Sequence, residues 1–406
     1  MGTPGAIIVG GHVNGLGLVR ALAARHVPIV VITTKPYDMA HRSRWVTACE
    51  TVPDIEERPE HLLEVLERHA APWNGWALLP ANDGALSALA QFHDRLASRY
   101  RVLAPSPDVA RYFLDKELML DVARAVGVDT PRCYGPAVQA TAALSSVDFP
   151  VVVKPVVGYR FSSRFGCKLF VAHDRTELQR CIARFEDAQM RGQVFGCIPG
   201  ADRQIYAYCT YIDAHGEPRG GLTVHKLRQG PPLFGVARVA ETVADHPALR
   251  DATIEIVRRI GHRGIAVAEF KLDPRDGRWR FIEINGRSVI YNALLRRAGL
   301  DVAGLAWSDQ VGRQPDTARP IGWPGVWIHL HADLLYTLLY RRHERLSFAD
   351  FVEPYRRPKI DAVWSAHDPL PFITEWSRTA RVGATALWKG RHRQLLDDHT
   401  RPAANG

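Results

Sequence analysis

The sequence predicts an α/β fold that becomes α+β in its C-terminal half, and three observations carry that prediction. Near the N-terminus, short apolar runs alternate with helix-period segments, the βαβ pattern of a doubly wound parallel sheet. After residue 190, long runs with strand character follow one another with a single helix among them, which favours antiparallel pairing. Finally, Asp273-Pro274-Arg275-Asp276-Gly277-Arg278 is a cluster of turn formers between two strand-like segments and predicts a hairpin.

The first unit, residues 1–104, begins with a strand over 6–9, a Gly-rich turn, a helix over 14–25 and a strand over 28–32. A strand over 76–79 and a helix over 83–96 repeat the pattern, and 101–103 begins the exit. The glycines between Gly10 and Gly17 miss the G-x-G-x-x-G register of a dinucleotide fingerprint. The loop therefore suits substrate binding, since crevices beyond the carboxyl ends of strands collect ligands. A second unit, 105–190, opens where Ser106-Pro107-Asp108 can cap one helix that carries Leu118, Val122 and Val126 and stops at Gly127. The apolar strand 149–153 ends in Lys154-Pro155, a strand 167–171 and a helix 174–188 follow. The third unit, 191–312, holds strands near 204–212, 218–226 and 234–241, then a helix marked by Leu249, Ala252, Ile256 and Ile260, then the hairpin. Past a polar linker, 313–406 forms a distinct C-terminal extension in which His329 and His331 alternate as a strand pair and a basic, aromatic tail runs from Trp376 to Arg393.

Composition narrows the class. At 406 residues the chain exceeds one typical core, and 46% hydrophobic against 23% charged residues describes an ordinary globular protein. Lysine and arginine outnumber aspartate and glutamate by 52 to 43, which suits an anionic ligand. The basic residues are dispersed, without finger spacing or an aromatic RNA platform, which argues against nucleic acid. Six cysteines without paired spacing fit a reducing cytoplasm. No signal peptide precedes Ala6 and no apolar run is long enough to span a bilayer.

The hairpin carries the most chemistry. If its loop takes residues 274–278, Asp273 lies opposite Trp279 and Glu269 opposite Glu283, with Asn285 on the same face about 7 Å along the strand. Like charges directly opposite destabilise a sheet, so among Ile265, Val267, Phe281 and Ile284 such a pair calls for a cation or a raised pKa. An all-oxygen donor set suits Mg2+, which bridges substrate phosphates and so implies a nucleotide. Lys154 interrupts an apolar strand at its end, as a ligand contact facing a cleft would. Lys226 and Arg228 alternate on one strand edge and suit a triphosphate or an anionic substrate.

Taken in order, these strings resemble one superfamily. Leu114-Asp115-Lys116, Val153-Lys154-Pro155, Ile198-Pro199-Gly200-Ala201-Asp202, His225-Lys226-Leu227-Arg228 and Glu283-Ile284-Asn285-Gly286-Arg287, preceded by Glu269, are similar to the ATP-grasp carboxylate-amine ligases. Gly10 to Gly17, Ser43-Arg44-Trp45-Val46 and Asp368-Pro369-Leu370-Pro371-Phe372 resemble a narrower group, the predicted ATP-dependent carboligases that include D-aspartate ligase. The resemblance implies an ATP-grasp fold with an N-terminal pre-ATP-grasp domain, ATP and Mg2+ as cofactors, carboxylate and amine substrates, and a homodimer. It implies that Lys116 and Lys154 hold the α- and β-phosphates and Lys226 the γ-phosphate, that Ile198 and Asp202 meet adenine and ribose, and that Arg228 reaches the phosphates. Glu269, Glu283 and Asn285 would hold the metal, and Arg287 would meet the acyl phosphate. The chain departs from the family where Cys197 replaces an acidic hinge residue, where Gly286 replaces a proline, and in the bulky, basic loop 158–166. A dinucleotide-dependent oxidoreductase and a non-catalytic nucleotide sensor are the rival readings.

Overall fold

β-Branched and leucine-rich runs at the N-terminus make the first sheet. In a computed structural model that describes residues 3–378, apart from 54, 138–146, 157–160, 162, 163, 166, 314–321 and 345, β1 (Ala6–Val9), β2 (Ile29–Thr33), β3 (Ala48–Thr51), β4 (Ala77–Pro80) and β5 (Arg101–Val102) pair in the order β3-β2-β1-β4-β5, all parallel. Helices α1 (Val13–Ala23), α2 (Glu60–Arg68), α3 (Asp83–Gln91) and α4 (His93–Ala97) cover the two faces. Ala6 and Ile8 share a core with α1, whereas Ile7 and Val9 share another with α2 and α3. The doubly wound expectation holds. Two elements lie outside it: β3, an exposed edge strand reading Ala-Cys-Glu-Thr, and α2, whose Leu62, Leu63 and Leu66 make one buried face.

The single helix expected after Ser106 is two, α5 (Pro107–Leu114) and α6 (Lys116–Ala125). Asp115 leaves helical geometry at φ −100° and ψ 108°, and its side chain accepts from the amides of Glu117 and Leu118. A capping aspartate thus ends one helix and starts the next, making Lys116 the first residue of α6.

A small antiparallel sheet follows, β6 (Cys133–Pro136), β7 (Val151–Pro155), β8 (Phe170–Ala172) and β9 (Gly192–Gly196), in the order β6-β9-β7-β8, backed by α7 (Arg175–Asp187). Because β9 pairs with β7 from Val151↔Gly196 to Pro155↔Gly192, this sheet runs past the boundary expected at residue 190.

The large sheet comprises β10 (Ile205–Ile212), β11 (Pro218–Gly230), β12 (Val236–Val243), β13 (Gly264–Asp273), β14 (Arg278–Asn285), β15 (Val326–Ile328) and β16 (Lys359–Asp361), in the order β14-β13-β10-β11-β12-β15-β16. Its helices are α8 (Pro247–Arg259), α9 (Asn292–Arg297), α10 (Val302–Gln310), α11 (Leu330–Glu344) and α12 (Phe348–Arg356). β15 and β16 come from the expected C-terminal extension, so the region after residue 313 completes this sheet rather than standing apart. One core joins α1 to α9, α10 and the β10–β13 face that carries Ala207, Cys209, Ile265 and Val267. The other face, with Ala266, Ala268 and Phe270, packs against α6 and α8.

Two of the three strings that carry the narrower resemblance meet although 325 residues apart: Ser43 Oγ donates to Asp368 Oδ2 at 2.8 Å, the Arg44 amide to Asp368 Oδ1 at 3.0 Å, and Arg20 Nε to Oδ2 at 3.0 Å. The tail beyond 378 and most of the 158–166 loop lie outside the described residues.

Candidate active site

Glu269 and Glu283 are direct partners across β13 and β14, as the sequence predicts, but by a different route. The turn is tighter than expected and pairs Asp273 with Arg278. An unbroken ladder from there would set Ile282 opposite Glu269 and turn Glu283 to the far face. A β-bulge intervenes between Phe270↔Phe281 and Glu269↔Glu283, so Ile282 has no partner and the two acids meet. Beyond them Asn285 pairs with Val267, and half-buried Glu283, Asn285 and Arg287 alternate with buried Ile284, Gly286 and Ser288.

Each acid hydrogen-bonds an ammonium. Lys226 Nζ, 4% exposed on β11, donates to Glu269 Oε2 at 2.5 Å, and Lys116 Nζ, from the start of α6, donates to Glu283 Oε2 at 3.1 Å. The Lys116 charge, reinforced against burial by Lys154, Lys168 and Lys226, holds the Glu283 carboxyl far below the usual carboxylate range. Glu283 in turn raises Lys116. Lys154, at the end of β7, stacks its ammonium 5.8 Å from the Phe195 ring. Burial, and then the neighbouring Lys116 charge, bring it down to about 8. Burial likewise lowers Lys168, just before β8, with Lys116 and Lys226 pushing the same way and Glu283 opposing. Ammonium groups from α6, both sheets and the Lys168 segment thus surround two facing carboxylates at the seam between the sheets. With Asn285 the donor set is all oxygen and fits a hard divalent cation.

Arg287 lies two residues past the end of β14. Its Nε donates to Asp83 Oδ1, at the start of α3, at 2.7 Å, and its Nη1 to the Ser288 carbonyl at 3.0 Å, so the first domain positions it. Gly286 does not loosen that placement. A Cβ there would stand 2.8 Å from the Phe113 ring of α5, so the glycine admits close packing under Arg287.

Two expected ligand contacts have other partners. Arg228 follows a bulge that leaves Leu227 extra, and it pairs with Val239 where Lys226 pairs with Ala240. It thereby lies with Leu227, Val239 and Tyr355, where its Nε and Nη2 grip Asp333 Oδ1 and Oδ2 at 2.9 and 2.7 Å and its guanidinium stacks 5.3 Å from Phe351. Arg228 is a buried structural arginine. Asp202 accepts from the Gln229 amide at 2.7 Å, Gln229 Nε2 at 3.0 Å and the Leu233 amide at 2.7 Å, so its carboxylate ties down the 229–233 loop instead of facing a ribose. Ile198 does lie on the segment between the two sheets, where Lys271 Nζ donates to the carbonyls of Ile198 and Gly200 at 2.9 and 2.8 Å. Lys271 and Lys168 lie outside the set of lysines that the sequence singles out. Lys271 interrupts an apolar strand just as Lys154 does, which was a readable signal; nothing local marks Lys168.

Glycines of the Gly10–Gly17 segment admit close packing. A Cβ on Gly15 would lie 2.1 Å from the Gly10 carbonyl and one on Gly17 1.9 Å from Asn292 Oδ1. Asn14 Nδ2 donates to the carbonyls of Ala81 and Ser288, both at 2.8 Å, joining the first domain to the segment after β14. These glycines give the oxidoreductase reading no support.

Comparison with known proteins places this geometry. Residues 240–308, which include Glu269, Glu283 and Arg287, match the family model described as carbamoyl-phosphate synthase L chain, ATP binding domain. The D-aspartate ligase of Enterococcus faecium (strain Aus0004) is 21% identical over 330 residues, covering 76% of this chain and 77% of that protein. Among solved structures, the ADP complex of N5-carboxyaminoimidazole synthetase from Staphylococcus aureus superposes with a TM-score of 0.63 at 11% identity, covering 84% of this chain and 86% of that one. This chain has the ATP-grasp fold. The L-amino acid ligase of Bacillus licheniformis shares the ATP-grasp fold at a TM-score of 0.60 and 17% identity, over 79% of this chain and 78% of that one. Among the described residues no helix is long and apolar enough to cross a membrane.

Proposed function

We propose that the chain is an ATP-dependent carboxylate-amine ligase. The observation that carries this reading is the direct pairing of Glu269 with Glu283 inside a ring of lysines at the junction of the two ATP-grasp sheets. The relationship to a D-aspartate ligase and the fold shared with an L-amino acid ligase support an amino acid as one substrate.

The nucleotide lies between the small and large sheets, with adenine at the Ile198 segment. Lys116 and Lys154 hold the α- and β-phosphates, and Lys226 holds the γ-phosphate. Magnesium, held by the oxygens of Glu269, Glu283 and Asn285, supplies neutralisation of the β- and γ-phosphate charge when bound. A substrate carboxylate oxygen attacks the γ-phosphorus, the bond to the bridging oxygen breaks, and ADP departs with that electron pair. The amine nitrogen then attacks the acyl carbon, the carbon–oxygen bond to phosphate breaks, and the amine proton leaves with inorganic phosphate. Arg287, fixed by Asp83 beside the metal face, binds the acyl phosphate and the oxyanion of the tetrahedral intermediate, where pre-placed charge is most effective. No side chain serves as a covalent nucleophile.

The reading carries with it a cytoplasmic location, in keeping with six cysteines outside any disulfide, and a homodimer, which light scattering of the purified chain tests. The activity is tested by phosphate release from ATP and magnesium with a panel of amino acids. Release that needs one acid and one amine together is expected. Nucleotide binding without release under any pair would reassign the chain as a nucleotide sensor.

A further inference from the structure

A second group of metal-competent side chains lies away from the hairpin. His329 follows β15, His331 stands in the first turn of α11, and Glu375 comes from the helical segment 370–378. The strand expected to carry both histidines ends at Ile328. The structure instead adds the third donor that sequence spacing alone could not show. One ligand atom from each of the three lies within 4.8 Å of the others, and the residues are 6%, 7% and 4% exposed.

A simple buried ion pair accounts for only part of this arrangement. His329 Nε2 is 2.7 Å from Glu375 Oε1, a good hydrogen bond. His331 Nδ1 is 3.6 Å from the same oxygen, beyond hydrogen-bonding range, while its other ring nitrogen, Nε2, is buried with no partner among the described residues. One carboxylate oxygen therefore faces two imidazoles and fully satisfies one. A tetrahedral ion with bonds of about 2.0–2.2 Å keeps its donors roughly 3.3–3.6 Å apart. The separations here, from 2.7 Å to at most 4.8 Å, bracket that spacing and close on it by side-chain rotation.

We propose that His329, His331 and Glu375 bind one divalent transition cation of the zinc class. Two imidazoles and a carboxylate are borderline donors that favour such an ion, in contrast to the all-oxygen hairpin. Three protein ligands leave a fourth position for water or an anionic ligand. His12, in the first domain's Gly-rich turn, lies beside it, its ring centroid 6.5 Å from that of His329. The ion ties the C-terminal helix to the start of α11 next to the carboxyl end of β1, a role separate from the proposed ligase chemistry.

The test uses the full chain, stripped with a chelator and titrated with Co2+ in excess Mg2+. Expected is one Co2+ per chain, with visible d–d absorption of a four- or five-coordinate nitrogen and oxygen site that Zn2+ abolishes. His331→Ala and Glu375→Ala lower the stoichiometry from one to zero, whereas Glu283→Gln leaves the absorption unchanged. Zn2+ raises the melting temperature of the parent chain and not that of His331→Ala. No absorption from the parent chain, which needs no variant to fold, overturns the proposal. So does absorption that persists in both His331→Ala and Glu375→Ala while circular dichroism shows them folded.

Discussion

Two β-bulges, on β14 and on β11, act on the same kind of sequence signal with opposite results. On β14 the unpartnered Ile282 compensates for a tight turn and restores the facing of Glu269 and Glu283. On β11 the extra Leu227 separates Lys226 from Arg228, two cations that period-two reasoning sets side by side. Lys226 turns to Glu269 and the proposed active site; Arg228 turns to Asp333 in a closed cluster with Arg238 and Tyr355. A bulge thus decides whether a charge is available to a ligand or consumed by the fold, and residue type does not reveal which.

Substitution should separate the two clusters. The largest effect is expected from Glu283→Gln, which removes one charged ligand of the proposed metal; phosphate release falls to background while circular dichroism and the melting curve stay those of the parent. Undiminished release would remove the metal assignment. Asp333→Ala should do the reverse. It leaves two buried guanidinium groups facing each other, and breaking such a pair costs about 3–5 kcal/mol, measurable as a lower denaturation midpoint in urea. Turnover per folded molecule is expected to persist.

Protonation sharpens the contrast further. Lys154 loses its proton at about 8, so its charge is present below that pH and disappears as pH rises through it. Since kcat/KM reports the free enzyme, kcat/KM for ATP should decline above pH about 8 in the parent chain and stay level to higher pH in Lys154→Arg. The smallest effect on stability is expected at Lys116, 45% exposed beside Glu283 at 34%. Exposed pairs contribute at most about 1 kcal/mol, so Lys116→Ala should barely move the melting temperature while raising KM for ATP. A large loss of stability there would place Lys116 with Arg228 as a structural charge.

Much of this molecule was legible in its sequence. The parallel first sheet followed from buried apolar runs, and the hairpin from its turn residues. Lys154 was marked by its position in an apolar strand, and its neighbour in kind, Lys271, could have been found the same way. What escaped had long-range causes. β3 escaped because an edge strand with exposed Ala48, Cys49 and Thr51 lacks a hydrophobic pattern. The break between α5 and α6 turned on one capping aspartate inside a continuous helical period. Asp202 and Arg228 have side chains suited to ligands, but they bind the protein's own amides and carboxylate, which residue type and spacing do not reveal. The His329–His331–Glu375 cluster needed a donor 44 positions further along the chain, brought there by the packing of the C-terminal helix.

The core that α1 shares with α9, α10 and the back of β10–β13 makes the opening hundred residues part of the machine's chassis. A truncated protein starting at α5 would uncover the apolar surface of α9 and α10 on which α1 packs and would leave Arg287 without its Asp83 anchor. Fragments bearing every lysine of the proposed nucleotide site should therefore aggregate instead of turning over, and grafting this half onto a foreign leader would require redesigning that shared apolar seam.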